Sequence, residues 1–99
     1  MPALTAPEFG EVSDSDLVKR CQAGDTRAFD VLVNRYRGKV YAMTYHMIQN
    51  ETEAWDLAQE AFIKAWRALP NFKLDSAFYT WLYRITHNVT YDWLRKKKI

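Results

Sequence analysis

The chain is short of residues that staple, break or turn a backbone: 99 residues contain one cysteine, three glycines and three prolines. A lone Cys21 excludes an internal disulfide, and no cysteine or histidine stands at metal-ligand spacing from it. So few glycines and prolines argue against the many turns of a β-sandwich or barrel. No apolar run reaches the ~18 residues of a membrane-spanning helix, and the first residues lack the basic start and apolar stretch of a signal peptide. There is no phosphate-cradling glycine loop and no nucleophile motif, and His46 and His87 stand alone. Catalysis, a cofactor, a metal and a membrane are therefore not expected. A monomer in a reduced, cytoplasmic setting is.

An apolar content of 48% and an aromatic content of 15% supply one modest core. With so few breakers, the expectation is an all-α fold, a compact bundle of about four helices. The net charge of +2 is too mild to announce a nucleic-acid partner, but its distribution is uneven. Four of the 14 basic residues are Arg95, Lys96, Lys97 and Lys98, while most acids lie in the first 60 residues.

Residues 1–12 carry two prolines and a glycine without periodicity and read as a flexible leader, with the domain spanning 13–99. Ser13, three residues before Asp16, predicts an N-cap for a helix over 14–23 that stops at Gly24. Asp25 predicts the cap of a long helix to about Ile48, whose Phe29, Leu32, Val33, Tyr36, Val40, Met43 and Met47 recur at helical spacing. Asn50 or Thr52 caps a third helix reaching about Leu69 and ended by Pro70 and Asn71; Ser76 opens the last.

Two helix faces hold the functional interest. On the third helix, Ala54, Leu57, Ala58, Ala61, Phe62, Ala65, Trp66 and Leu69 share the core side, while Asp56, Gln59, Glu60, Ile63 and Arg67 lie opposite. Spacing alone favours a solvated stripe there, with docking on another protein's helix as the alternative. On the last helix Phe78, Trp81, Leu82, Ile85, Val89 and Trp93 form the inner stripe, and Arg84, His87, Asn88, Tyr91 and Arg95 spread over a different face. Cations suit phosphates, flat rings suit unstacked bases, and an amide pairs with base edges. Composition alone balances that use against ordinary surface, peripheral core and a fraying basic end.

Four ordered blocks carry a resemblance: Asp16-Leu-Val, Gly24-Asp25 with Ala28-Phe29, Asp56 to Trp66 (DLAQEAFIKAW), and Ser76 to Ile85 (SAFYTWLYRI) with Asn88. Over residues 14–98 the chain resembles region 2 of bacterial extracytoplasmic-function σ factors, and the Ser76 block is most like the envelope-stress members of that group. The resemblance implies that the polar stripe of the third helix docks on the β′ clamp helices of the RNA polymerase core. It also implies that the following loop and last helix read the promoter −10 element on single-stranded non-template DNA, extruding one base into a pocket. By motif position Ala68, Phe72, Ile85 and Asn88 line that pocket, beside Asn71, and the loop Lys73, Leu74, Asp75, Ser76 and Ala77 closes over the base. Arg84, His87, Tyr91, Arg95, Lys96 and Lys97 face the DNA backbone. An anti-σ factor is the implied second protein partner.

Leu74 stands where many relatives have glycine, so the loop is expected to take a different path. Trp55 stands where a carboxylate commonly precedes the aspartate, removing one rim charge of the polymerase contact. The chain ends just after the basic run, where the family continues through a linker into region 4, so an isolated domain is expected. The competing classes are a helical protein-interaction module and a helix-turn-helix binder of duplex DNA.

Overall fold

A computed structural model describes residues 12–97. The expected leader, apart from Val12, and Lys98 of the basic run lie outside the described residues. Four α-helices follow in order: α1 (Asp14–Gln22), α2 (Thr26–Ile48), α3 (Glu51–Ala68) and α4 (Phe78–Lys97), with a 3-10 turn (Leu69–Asn71) between the last two. The expected all-α bundle of about four helices is the architecture found.

Local chemistry sets most of the boundaries. The Asp16 N–H donates to Ser13 Oγ at 3.1 Å, the Arg27 N–H to Asp25 Oδ1 at 3.1 Å and the Glu53 N–H to Asn50 Oδ1 at 3.0 Å. Each satisfies a donor that a helix start would otherwise strand. Gly24 takes φ 107°, as a glycine after a helix readily does. Gln49 takes φ 59° and its N–H donates to the Tyr45 carbonyl, so α2 and α3 are joined by Gln49 and Asn50 alone.

The last helix departs from expectation. Ser76 does not open it: α4 begins at Phe78, the Trp81 N–H donates to the Ala77 carbonyl at 3.1 Å, and the Ser76 hydroxyl is buried without a hydrogen-bond partner. Upstream, Leu74 is left-handed (φ 59°) within a bend over residues 74–76. Pro70 ends α3 as expected, but through a 3-10 turn rather than a clean stop.

Leu17, Val18, Leu32, Ala61, Ala65 and Leu82 are fully buried at the centre, where all four helices meet. The alanines of α3 let its backbone approach its neighbours, while Trp66, placed on the core side by its spacing, is exposed and only tilts against Phe29 at 5.0 Å. Three buried polar side chains were not in any predicted stripe: Thr44, Thr86 and Thr90. Thr86 Oγ1 donates to the Leu82 carbonyl at 2.9 Å and Thr90 Oγ1 to the Thr86 carbonyl at 2.8 Å, so each hydroxyl is satisfied within its own helix. Thr44 Oγ1 lies 3.0 Å from the Tyr41 carbonyl of its own helix and also reaches across from α2 to the Ala54 carbonyl of α3 at 2.8 Å.

Two polar ties hold α1. Asp14 accepts from Arg35 Nη1 at 2.9 Å and from the Tyr36 hydroxyl, whose pKa is pushed up to about 12 by burial and by that bond. At the other end Gln22 reaches the 3-10 turn and the residue that follows it. Cys21 lies between, and burial pushes its thiol up to about 11, leaving it protonated at neutral pH.

Candidate nucleic-acid interface

The exposed face of α4 is organised by helical spacing. His87, Tyr91 and Arg95 succeed one another every fourth residue and form a column: the rings of His87 and Tyr91 stack at 6.0 Å and 10°, and the Arg95 guanidinium lies 5.7 Å from the Tyr91 ring. Tyr91 is 50% exposed, so a ring face and a cation are offered to solvent together. Asn88 and Arg84 are exposed on the same helix, and Lys96 and Lys97 extend the cations to its end. The Lys97 ammonium lies 4.8 Å over the half-buried Trp93 ring, a cation–π contact. Such a face can hold phosphates and stack bases without bond-making chemistry.

Around the loop that joins α3 to α4 the side chains divide. Asn71, Lys73, Asp75 and Ala77 are exposed; Ala68, Leu74, Ser76 and Ile85 are partly buried. Phe72 is 6% exposed and stacked on Trp81 at 4.5 Å and 21°. It is thus a core residue that leaves little surface to a ligand. Leu74 occupies the backbone region that favours glycine, at a strain on the order of 1–2 kcal/mol. Its side chain packs on the core, which offsets the strain.

A second candidate face lies on α3. Asp56, Gln59, Glu60 and Arg67 are exposed and Ile63, at 48%, stands among them. Lys64 pairs with Glu60 at 3.7 Å across one turn, an exposed contact of little energetic weight. All five residues expected on this stripe share the solvent side. Beside it, Val33, Arg37, Trp55, Gln59 and Phe62 line a groove of about 300 Å³.

Two aromatic assemblies escaped the sequence reading. Trp55 stacks on Tyr41 at 4.1 Å, Tyr41 lies 5.9 Å from Tyr45, and the Arg37 guanidinium stands 5.9 Å from the indole. The residue that removes a rim carboxylate thus caps a ladder of rings. On the far side of α4, Tyr79 packs between Tyr36 at 4.9 Å and Tyr83 at 4.1 Å, with Lys39 5.3 Å over it. Burial and the Tyr83 hydrogen bond push the Tyr79 hydroxyl up to about 12. The spacing of Tyr41 with Tyr45 and of Tyr79 with Tyr83 was the available signal; their partners on other helices were not.

Known proteins share both sequence and shape with this chain. The Sigma-70 region 2 family profile matches residues 32–99. The RNA polymerase sigma-H factor of Pseudomonas aeruginosa is 57% identical over 75 residues, covering 76% of this chain and 39% of that protein. The ECF RNA polymerase sigma-E factor of Escherichia coli K12 is 48% identical over 84 residues, covering 85% and 44%. The chain therefore spans about two-fifths of the length of these relatives. An NMR structure of an engineered region 2 of sigmaE in complex with GTAAAA matches with a TM-score of 0.82 at 41% identity, covering 89% of this chain and 92% of that one. Among the described residues no helix is long and apolar enough to cross a membrane.

Proposed function

Because the chain belongs to the Sigma-70 region 2 family, in its extracytoplasmic-function branch, we propose that it reads the promoter −10 element as single-stranded non-template DNA and promotes strand opening by capturing one base. The observation that carries this reading is the α4 face, where Asn88 stands beside the His87–Tyr91–Arg95 column on an otherwise well-packed helix. The likeness to a sigmaE region 2 in complex with GTAAAA supports it.

Unstacking a base costs a few kcal/mol, and stacking plus hydrogen bonds in a pocket return a comparable amount. Ala68, Asn71 and Ile85 form the sides of the pocket, Phe72 its wall, and Asn88 pairs with the base edge. The loop from Lys73 through Leu74, Asp75 and Ser76 to Ala77 closes over it. Ser76 brings a hydroxyl that has no hydrogen-bond partner among the described residues. Arg84, His87, Tyr91, Arg95, Lys96 and Lys97 hold the DNA backbone. Binding alone drives the opening, so the domain acts without enzymatic chemistry and without a cofactor.

The stripe of Asp56, Gln59, Glu60, Ile63 and Arg67 docks on the β′ clamp helices of the RNA polymerase core, with Ile63 as its apolar centre. An anti-σ factor that covers either face competes with these partners. The domain works as a monomer in the cytoplasm, and region 4 of a longer protein would supply the −35 contact.

The test is a scan of single-stranded oligonucleotides with every base of the −10 element varied, read by fluorescence anisotropy. A preference for one sequence, erased by Asn88→Ala, is expected; Arg95→Ala should weaken all sequences alike and make the salt dependence shallower. Equal affinity for every sequence, or preference for duplex, overturns the reading. For the second face, Asp56→Lys with Glu60→Lys should abolish capture by a β′ clamp-helix fragment, and undiminished capture would sink the docking assignment.

A further inference from the structure

We propose that Gln22, at the end of α1, is the positioning residue of the base-reading loop, an inference that rests on the reading of residues 73–77 as that loop. Its Nε2 donates to the Leu69 carbonyl at 3.0 Å and to the Phe72 carbonyl at 2.9 Å. One amide group carries two hydrogens, and both are used on the segment that leads from α3 into the loop.

The segment needs such an anchor. Carbonyls at the end of a helix lose their intrahelical partners, and Pro70 has no N–H to give back. The Phe72 N–H donates to the Leu69 carbonyl at 3.0 Å and closes the 3-10 turn, and Gln22 supplies a second donor to the same oxygen. Beyond Phe72, among the described residues, the backbone of 73–76 makes no backbone hydrogen bond until the Ala77 carbonyl accepts from Trp81. The course of the loop is thus fixed by its two ends and by the packing of Leu74. At the upstream end the Phe72 ring is held by Trp81 of α4 and its carbonyl by Gln22 of α1.

A ring stacked on a neighbour can still slide and rotate about its contact, whereas two hydrogen bonds from one planar amide fix both the height and the direction of the backbone between Leu69 and Phe72. Gln22 touches neither base nor phosphate in this arrangement. It acts through the backbone, and removing it should degrade discrimination between bases before it degrades affinity for DNA as a polyanion.

The experiment uses the 99-residue chain with Gln22→Leu, which keeps size and helix preference, Gln22→Glu, which sets a carboxylate against two carbonyls, and Gln22→Asn, which is one methylene too short to span both. Three readouts are compared: the ratio of affinities for the preferred and disfavoured −10 single strands, the affinity for an oligothymidine of equal length, and amide hydrogen exchange of Phe72 and of residues 73–77 without DNA. Gln22→Leu should reduce the base ratio roughly tenfold and leave oligothymidine binding within about twofold, in keeping with the loss of two modest hydrogen bonds. Exchange at Phe72 should accelerate about as much, with Glu at least as severe as Leu and Asn between Leu and the parent. An unchanged base ratio with unchanged exchange overturns the proposal, as does a parallel fall of specific and oligothymidine binding, which marks general destabilisation. Should the parent chain itself show no base preference, the −10 reading fails; the exchange readout then still decides whether Gln22 positions the loop.

Discussion

Helices α3 and α4 are similar in length, 18 and 20 residues, and both bury apolar side chains, but alanines predominate in one and threonines join the other. The inner face of α3 is lined by Ala54, Ala58, Ala61 and Ala65, which bring its backbone against its neighbours. That of α4 carries Leu82 and Val89 together with Thr86 and Thr90, whose hydroxyls are turned back on the helix's own carbonyls. Outside, α3 presents charges, an amide and one apolar side chain, whereas α4 presents rings and cations already paired with each other. A surface placed by backbone packing keeps its shape when a partner arrives, which suits docking. A surface whose side chains are ordered by mutual contacts can re-pair with bases and phosphates at little cost, which suits reading.

The strongest way to break this contrast is at its packing. Leu82→Ala should cost about 2–5 kcal/mol and Ala61→Gly only about 1 kcal/mol, measured as shifts of the urea midpoint. Equal losses would mean that side-chain volume matters alike on both helices. Next in size is Ile63→Ser, neutral in charge and on an exposed site. Stability should stay within about 0.5 kcal/mol while affinity for a β′ clamp-helix fragment falls roughly tenfold and single-strand binding holds. A matching drop in DNA affinity would show the two faces to be one.

The threonines sharpen the contrast further. Thr44→Val removes a bond between α2 and α3 and should cost about 1 kcal/mol, whereas Thr86→Val removes only a bond within α4 and should change stability by no more than a few tenths of a kcal/mol. The order reverses if buried hydroxyls serve α4 rather than merely being tolerated there. Smallest is Gly38→Ala: a Cβ there meets nothing within 4 Å, so the helix should gain about 0.5–1 kcal/mol in the same urea assay.

What the sequence disclosed follows the reach of each interaction. Ser13, Asp25 and Asn50 cap helices through atoms two or three residues away, so a local pattern was enough to find them. The alanine face of α3 and the polar stripe opposite it are periodic and were equally legible. Thr44, Thr86 and Thr90 were not, because a hydroxyl counts as polar in any periodicity while its burial depends on a carbonyl only the fold supplies. Trp66 was placed inside by spacing and lies exposed at the rim of α3. Ser76 looked like a cap and is not one, since its hydroxyl is turned into the protein and accepts no helix N–H among the described residues. Phe72 has the composition of a stacking platform, and its contact with Trp81, which uses that face, joins two elements no local pattern connects.

The spacing of two hydrogen-bonded ties also sets an order in time. Thr44 joins residues ten apart in the chain, across a connection of Gln49 and Asn50, so the α2–α3 hairpin closes at small entropic cost. Gln22 bridges gaps of 47 and 50 residues and can act only after α1, α3 and the turn have come together. A tie between near neighbours in the chain costs little loop closure, whereas one across 47 and 50 residues must wait for long-range packing. In stopped-flow experiments Thr44→Val should slow refolding, and Gln22→Leu should leave refolding nearly unchanged while speeding unfolding.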